Sequence, residues 1–226
     1  MAFLSPSILN ADFARLGEAA EAVKAGGGRW LHIDVMDGRF VPAMTFGPPV
    51  VAALHRVTTL TLDVHLMIDT PERQVQAFLD AGANVLTLHY EAVDFGLLPG
   101  TMQRIRDAGC IVGLSIKPAT PISVVLPYLH LCDLVLLMTV EPGLGGQVIQ
   151  DDAMERIVAL RRILDARAPQ VLLQIDGGIH GGNISQAVAA GADVIVCGSA
   201  IFGAPDVSEQ VRTLERMAKE AAPASL

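Results

Sequence analysis

The stretch "DAGANVLTLHYE" (residues 80–91) contains the pattern on which the architecture rests. A segment that ends in Ala-Gly is followed at once by a short apolar run. Glycine suits the left-handed residue that closes a helix, and a short apolar run next to turn residues is typical of a buried strand. The stretch therefore predicts a helix that closes at Gly82 and leads directly into a strand.

This junction recurs along the chain. Ala-Gly also precedes apolar runs at Gly26, Gly109 and Gly191, and the four glycines are separated by close to two, one and three copies of a unit of about 27 residues. Segments with helical spacing lie between the runs, such as "FARLGEAAEAV", "ERQVQAFL", "MERIVALRRIL" and "ISQAVAA". The predicted strands are residues 3–9, 30–36, 61–68, 85–91, 110–117, 134–140, 171–176 and 194–200.

Eight strand-helix units of this size account for the whole chain. We therefore predict an α/β protein with a single domain, a (β/α)8 TIM barrel over residues 1–226. An open doubly wound sheet is the alternative. Against it, the first strand is followed by "NADFARL" and not by the Gly-x-Gly-x-x-Gly turn of a dinucleotide site.

Composition narrows the range of partners. A hydrophobic content of 51% in 226 residues is ample for a core, and a net charge of −8 argues against nucleic-acid or anionic-membrane surfaces. Cys110, Cys132 and Cys197 are expected to be reduced and buried, because they are odd in number and lack Cys-x-x-Cys spacing. The sequence shows no targeting or membrane-spanning pattern, so we expect a cytoplasmic protein.

Polar residues interrupt several strands near their carboxyl ends, where the site of such a barrel is built. In "LHIDVMD" (31–37), His32, Asp34 and Met36 share one strand face and the aliphatic residues share the other. The same parity selects Asp63, His65 and Met67 on the third strand, His89 and Glu91 on the fourth, and Asp176 on the seventh. His55, His130 and His180 have no such partners and are expected at the surface.

Two interpretations of these polar residues remain open. They form either a hydrogen-bonded network that fixes the strand register or a site with two histidines and two carboxylates for Zn²⁺, Fe²⁺ or Mn²⁺. Glycines follow the late strands in "EPGLGGQ" (141–147), "DGG" (176–178) and "GSA" (198–200). Glycine lets backbone N–H groups approach phosphate oxygens, and the last two loops of this fold commonly form a phosphate site.

The chain resembles the ribulose-phosphate 3-epimerase family. The resemblance runs through "SPSILNADFARL" (5–16), "HIDVMDGRFVPAMTFGP" (32–48), "LDVHLMI" (62–68), "KPATP" (117–121), "MTVEPGLGGQ" (138–147), "IDGGI" (175–179) and "CGSAIF" (197–202). It implies a metal-dependent epimerase of the pentose phosphate pathway that converts D-ribulose 5-phosphate to D-xylulose 5-phosphate. It also implies a homo-oligomer.

The resemblance assigns the site residue by residue. It implies one divalent ion (Zn²⁺, Fe²⁺, Mn²⁺ or Co²⁺) held by His32, Asp34, His65 and Asp176, with Asp34 and Asp176 as the acid-base pair. The implied substrate contacts are Ser7, His65, Met36, Met67, Met138, Gly143, Leu144, Gly145, Gly146, Gly177, Gly178, Gly198 and Ser199. Leu144 stands where many relatives have Phe, and the aromatic residue usual just after Gln147 is absent.

Three other activities compete with this interpretation. A 3-epimerase of a ketohexose 6-phosphate such as allulose 6-phosphate has a similar motif set. A barrel decarboxylase or aldolase would carry Asp-x-Lys-x-x-Asp, but His65 stands where the lysine belongs. A non-catalytic phosphosugar-binding barrel would not require two acid-base carboxylates.

Overall fold

The computed structural model describes residues 2–222, and these contain an eight-stranded parallel sheet in the order β1-β8-β7-β6-β5-β4-β3-β2. A parallel bridge between Ser7 and His32 joins the end of β1 to β2 and nearly closes the sheet. The predicted (β/α)8 barrel is therefore confirmed. The strands are β1 Phe3–Pro6, β2 Trp30–Met36, β3 Thr61–Met67, β4 Val85–His89, β5 Ile111–Ile116, β6 Leu134–Met138, β7 Leu172–Asp176 and β8 Val194–Cys197.

Helices occupy most of the links between strands. They are α1 Leu16–Ala25, α2 Pro48–Val57, α3 Val75–Asp80, α4 Leu98–Asp107, α5 Ala153–Arg167, α6 Ile184–Ala189, α7 Ser199–Phe202 and α8 Val207–Ala221. The link between β5 and β6 differs, because Ile122–Leu131 form a 3₁₀ helix with Pro127 inside it. Proline has no N–H to donate, which disfavours a regular α-helix there.

The predicted first and eighth strands are each three residues too long at their carboxyl ends. The first ends at Pro6 because a 3₁₀ helix, Ile8–Asn10, follows it. The eighth ends at Cys197 because α7 begins at Ser199. Both corrections shift residues out of the barrel wall and into the loops that surround its carboxyl end.

The helix-closing glycines agree with the prediction at three of four positions. Gly82, Gly109 and Gly191 have φ angles of 92°, 75° and 113°, in the left-handed region. Gly26 does not, since its φ is −75° and Gly27 takes the left-handed conformation instead. The prediction for Gly26 is wrong because three consecutive glycines allow the turn to close one residue later.

Strand alternation separates an apolar layer from a polar interior. Leu31, Ile33 and Val35 belong to the main hydrophobic core outside the barrel wall, whereas His32 and Asp34 are buried on the opposite face. The barrel interior also buries polar side chains from other strands, namely Ser5, Asp63, His65, Thr87, His89, Ser115 and Gln174. These residues position the site, and the outer layer stabilises the barrel.

The expectations for the cysteines and for three of the histidines also hold. The three cysteines are free and buried. His55, His130 and His180 are exposed. Within residues 2–222, none of the helices combines the length and apolar character that crossing a bilayer requires.

Candidate active site

Four polar side chains converge at the carboxyl end of the barrel. His32 and Asp34 come from β2, His65 from β3, and Asp176 is the last residue of β7. One potential ligand atom from each lies within 4.8 Å of the others. The two histidines and Asp34 are buried, and Asp176 is partly open to the cavity above.

The spacing of these atoms suits a divalent cation. Asp34 Oδ1 lies 3.3 Å from both His32 Nε2 and His65 Nδ1, and Asp176 Oδ2 lies 4.0 Å and 3.8 Å from the same two nitrogens. Ligand atoms about 2.1 Å from a tetrahedral ion stand about 3.4 Å apart. His32 Nε2 is buried and has no hydrogen-bond partner among the described residues. The four residues therefore fit a metal site.

Asp63 lies one layer deeper and supports His32 from behind. Its Oδ2 atom is 2.7 Å from His32 Nδ1 and also accepts hydrogen bonds from Ser5 Oγ and Gln174 Nε2. A carboxylate on the far nitrogen of a ligating histidine fixes the ring and its tautomer. Asp63 was a ligand candidate by strand parity, but the structure does not bring it to the four-residue group.

His89 and Glu91 are likewise outside the four-residue group. His89 Nε2 lies 2.9 Å from His65 Nε2, on the side of the His65 ring that faces away from Asp34. His89 Nδ1 lies 3.1 Å from Glu91 Oε2. Strand parity selected these residues correctly as neighbours of the site, but they contact a candidate ligand and do not join the group.

The protein environment pushes the pKa values of the two candidate acid-base carboxyls in opposite directions. Burial opposes ionisation of Asp34, but the charge of His32 and the hydrogen bonding of His65 outweigh it, so its pKa is lowered below the usual range. Burial raises the pKa of Asp176, and the charge of Asp34 raises it further. Two carboxyls with opposed shifts are typical of an acid-base pair.

A cavity opens above the four residues. Every predicted substrate contact except His65 lines it, together with Asp34 and Asp176. His65 lies beneath the cavity floor, completely buried. Ser7 also faces Asp34, and its hydroxyl donates a hydrogen bond of 2.5 Å to Asp34 Oδ2.

The glycine loops form one side of this cavity. The backbone N–H groups of Gly178, Gly198 and Ser199 have no acceptor within residues 2–222. Gly178 has a φ of 68°, and a Cβ atom there would lie 2.5 Å from the backbone nitrogen of Ile149. The loops are thus packed too closely for side chains, and they leave free N–H donors beside the cavity.

Residues 3–202 match the sequence pattern described as the ribulose-phosphate 3 epimerase family. The chain belongs to this family. It is 46% identical over 215 residues to a ribulose-phosphate 3-epimerase of Mycobacterium bovis, covering 95% of this chain and 92% of the relative. It is 44% identical over 208 residues to one from Synechocystis sp., covering 92% and 90%. A chloroplastic relative from Arabidopsis thaliana is 42% identical over 219 residues, covering 97% and 78%.

Solved structures of other proteins share the fold of this epimerase-family chain. KGPDC from Streptococcus mutans has a TM-score of 0.72 at 10% identity, with 98% of this chain and 99% of that chain covered. Orotidine 5'-phosphate decarboxylase from Pyrococcus horikoshii has a TM-score of 0.68 at 18% identity, with 96% and 99% covered. At these identities the likeness shows the fold alone.

Asn10 lines the cavity but was not among the predicted site residues. A Cβ atom at Gly145 would lie 3.0 Å from the amide of Asn10, and one at Gly198 would collide with it. Asn10 therefore packs between two of the glycine loops of this epimerase-family barrel. Its place within "SPSILNADF", beside Ser7, was the available signal.

Proposed function

We propose that the chain interconverts D-ribulose 5-phosphate and D-xylulose 5-phosphate by moving a proton at C3 through an enediolate. The observation that carries the proposal is that Asp34 and Asp176, from β2 and β7, line one cavity. Membership of the epimerase family supports the same reaction. In this proposal the catalytic domain is the single barrel domain predicted for residues 1–226.

Inverting a carbon beside a carbonyl requires two proton transfers on opposite faces. A single fixed base cannot easily serve both faces, so two carboxylates are the simplest solution. Asp34 and Asp176 flank C3 in this proposal, one removing the proton and the other, protonated beforehand, delivering one. In the reverse direction the two residues exchange tasks.

His32, Asp34, His65 and Asp176 would hold one divalent ion, Zn²⁺, Fe²⁺, Mn²⁺ or Co²⁺. When bound, such an ion stabilises the negative charge that develops beside the reacting carbon. Two of these residues are held by hydrogen bonds within the chain. Asp63 orients His32, and Ser7 restrains Asp34. Removal of divalent ions is expected to abolish turnover, and added Zn²⁺, Fe²⁺, Mn²⁺ or Co²⁺ is expected to restore it.

The remaining cavity residues bind and shield the substrate. Met36, Met67 and Met138 line the cavity near the carboxylates and exclude water without competing for hydrogen bonds. The free N–H groups of Gly178, Gly198 and Ser199 are suited to the phosphate, and Gly177 lines the cavity beside them. Gly143, Leu144, Gly145 and Gly146 cover the same end of the cavity. Holding the remote phosphate fixes C3 relative to both carboxylates.

The decisive experiment is turnover of ribulose 5-phosphate in deuterated water. Deuterium is expected at C3, and Asp34→Asn and Asp176→Asn are each expected to stop net epimerisation. Asp165→Asn is the matched control, because Asp165 is an exposed carboxylate on α5 that pairs with Arg161. Full turnover without deuterium at C3 would contradict the proposal.

The same assay distinguishes a pentulose phosphate substrate from a hexulose phosphate substrate. We propose a pentulose phosphate substrate, and kcat/KM is expected to be higher on ribulose 5-phosphate than on allulose 6-phosphate. The reverse order would assign the chain to a hexulose phosphate. The homo-oligomeric state and the cytoplasmic location stay predictions, and sedimentation velocity tests the first.

A further inference from the structure

The two candidate metal-binding histidines present opposite ring nitrogens to the site. His32 directs Nε2 toward Asp34 and Asp176, whereas His65 directs Nδ1 toward them. A ligating nitrogen must be unprotonated, so each neutral ring must carry its proton on the other nitrogen. The site therefore needs His32 with its proton on Nδ1 and His65 with its proton on Nε2.

A carboxylate fixes the tautomer of His32, but no carboxylate faces the Nε2 atom of His65. Asp63 Oδ2 accepts from His32 Nδ1. The atom facing His65 Nε2 is instead another imidazole nitrogen, His89 Nε2, at 2.9 Å. At that distance one of the two nitrogens donates and the other accepts. What lies beyond His89 decides which one carries the proton.

Glu91 sets the direction of this chain of hydrogen bonds. Its Oε1 atom accepts from the backbone N–H of Lys117 at 2.8 Å and from the hydroxyl of Thr120. Its Oε2 atom faces His89 Nδ1 at 3.1 Å. A carboxylate facing a bare imidazole nitrogen would bring two lone pairs together, so His89 carries its proton on Nδ1 and donates it to Glu91.

We propose that Glu91 and His89 form a positioning relay that fixes the tautomer of His65. With its proton on Nδ1, His89 has a bare Nε2 that accepts from His65 Nε2–H. His65 Nδ1 also lies 3.3 Å from Asp34 Oδ1, but the contact between the two Nε2 atoms is shorter, at 2.9 Å, and it requires a proton. The neutral His65 ring therefore keeps its one proton on Nε2, and Nδ1 faces Asp34 and Asp176 unprotonated. Its use as a metal ligand rests on the proposed function, but the tautomer itself does not.

The surroundings hold the relay in place. His89 is completely buried, and the Phe40 ring packs against it with centroids 4.9 Å apart. Lys117 Nζ lies 4.1 Å from the centre of the Phe40 ring on the rim of the barrel. The loop after β5 anchors Glu91 through the backbone N–H of Lys117 and the hydroxyl of Thr120. The relay thus links that loop to His65 under the cavity floor.

The test compares His89→Leu with His89→Gln and with Thr87→Val. Leucine removes the acceptor for His65 Nε2–H, whereas the glutamine amide oxygen can replace it. Thr87 precedes His89 on the same buried face of β4, and its hydroxyl has no partner among the described residues, so Thr87→Val is the matched control. None of these changes removes a proposed ligand.

Two readouts are needed, and the first requires no metal. Imidazole ¹⁵N NMR of the metal-free protein is expected to show the His65 proton on Nε2 in the wild type, in His89→Gln and in Thr87→Val, and on Nδ1 in His89→Leu. The second readout is Zn²⁺ affinity by competition with a chelator. His89→Leu is expected to weaken it about 10- to 100-fold, while the other two variants stay close to wild type.

The outcomes separate this proposal from the proposed function. A His65 proton on Nδ1 in the wild type, or a tautomer unchanged in His89→Leu, overturns the relay. Equal Zn²⁺ affinity in His89→Leu and Thr87→Val also overturns it. If the wild type binds no divalent ion, the metal assignment fails and the NMR comparison alone decides the relay. Should His89→Leu not fold, Glu91→Gln replaces it, with a loss of affinity expected and an unchanged affinity contradicting the relay.

Discussion

Asp63 Oδ2 lies 2.7 Å from His32 Nδ1, and both side chains are completely buried inside the barrel. Ser5 and Gln174 donate to the same carboxylate oxygen, so side chains from β1, β2 and β7 meet at Asp63 on β3. A buried carboxylate costs free energy unless it is hydrogen-bonded. This arrangement gives Asp63 Oδ2 three partners and orients His32 toward the candidate site, whereas Asp63 Oδ1 has no partner among the described residues.

Asp63→Asn is expected to weaken divalent-metal affinity about 10- to 100-fold, because a neutral amide oxygen is a weaker acceptor for His32 Nδ1–H than a carboxylate and the new NH2 group would lie buried at the Oδ1 position, which has no partner. The unfolding free energy is expected to fall by about 1–3 kcal/mol. Asp193→Asn is the control, since Asp193 accepts from Leu173 and Arg161 away from the site. The Asp193→Asn variant is expected to lose unfolding free energy but to keep the metal affinity of the wild type. Equal affinities in the two variants, measured by chelator competition, would contradict this role of Asp63.

Ser7→Ala tests whether Ser7 supports Asp34 or only contacts substrate. Loss of the 2.5 Å hydrogen bond to Asp34 is expected to lower kcat about tenfold or more while KM changes little. Gly178→Ala, whose new Cβ would lie 2.5 Å from the backbone nitrogen of Ile149 and displace the N–H donors at the glycine-rich end of the cavity, is expected to raise KM instead. Steady-state kinetics separate the two cases, and a Ser7→Ala variant that changes KM alone would leave Ser7 as a substrate contact.

The sequence could predict which side chains enter the barrel, because strand alternation is a local property. His32, Asp34, His65 and Asp176 were all selected by period-two parity and the position of each strand end, and the structure brings them together. The glycine loops were found in the same way, from clusters after the late strands. Local patterns were sufficient for these assignments.

The depth of each polar residue could not be predicted, because it depends on how neighbouring strands are staggered. Asp63 pairs with His32 and His65 pairs with Asp34, so Asp63 lies below the cavity although it shares a face with His65. Barrel closure sets the register between neighbouring strands, and no single strand sequence encodes that register. The ring orientation of His89 is equally non-local, since Glu91 and the loop at Lys117 determine it.

Gly113→Ala tests the packing of the polar interior. A methyl group at this position would collide with Thr87, so the unfolding free energy is expected to fall by about 1–3 kcal/mol. Adding Thr87→Ala should recover part of the loss by removing the nearest atom. Gly100→Ala, on α4 with no atom within 4 Å of the new Cβ, is expected to stabilise the protein by about 0.5–1 kcal/mol. Equal effects of the two glycine substitutions in urea denaturation would contradict the packing described.

Glu91 is expected to make stability depend on pH. Burial opposes its ionisation, but hydrogen bonds from His89, Thr120 and Lys117 outweigh this and lower its pKa to about 2. Its stabilising contribution is therefore complete above its ordinary pKa of 4.5 and is lost as the pH falls toward about 2. The difference in unfolding free energy between wild type and Glu91→Gln should shrink as the pH is lowered from about 6 to about 3. A difference that stays constant over this range would show that Glu91 is not held as a carboxylate.

The four-residue site itself can be observed by anomalous X-ray scattering from crystals grown with Zn²⁺. We expect one strong peak about 2.0–2.2 Å from His32 Nε2, His65 Nδ1 and one oxygen each of Asp34 and Asp176. The peak should be lost in Asp176→Asn crystals and retained in Asp165→Asn crystals. The absence of a peak at this position, or a peak bound by His89 or Asp63 in place of His65 or Asp34, would contradict the site.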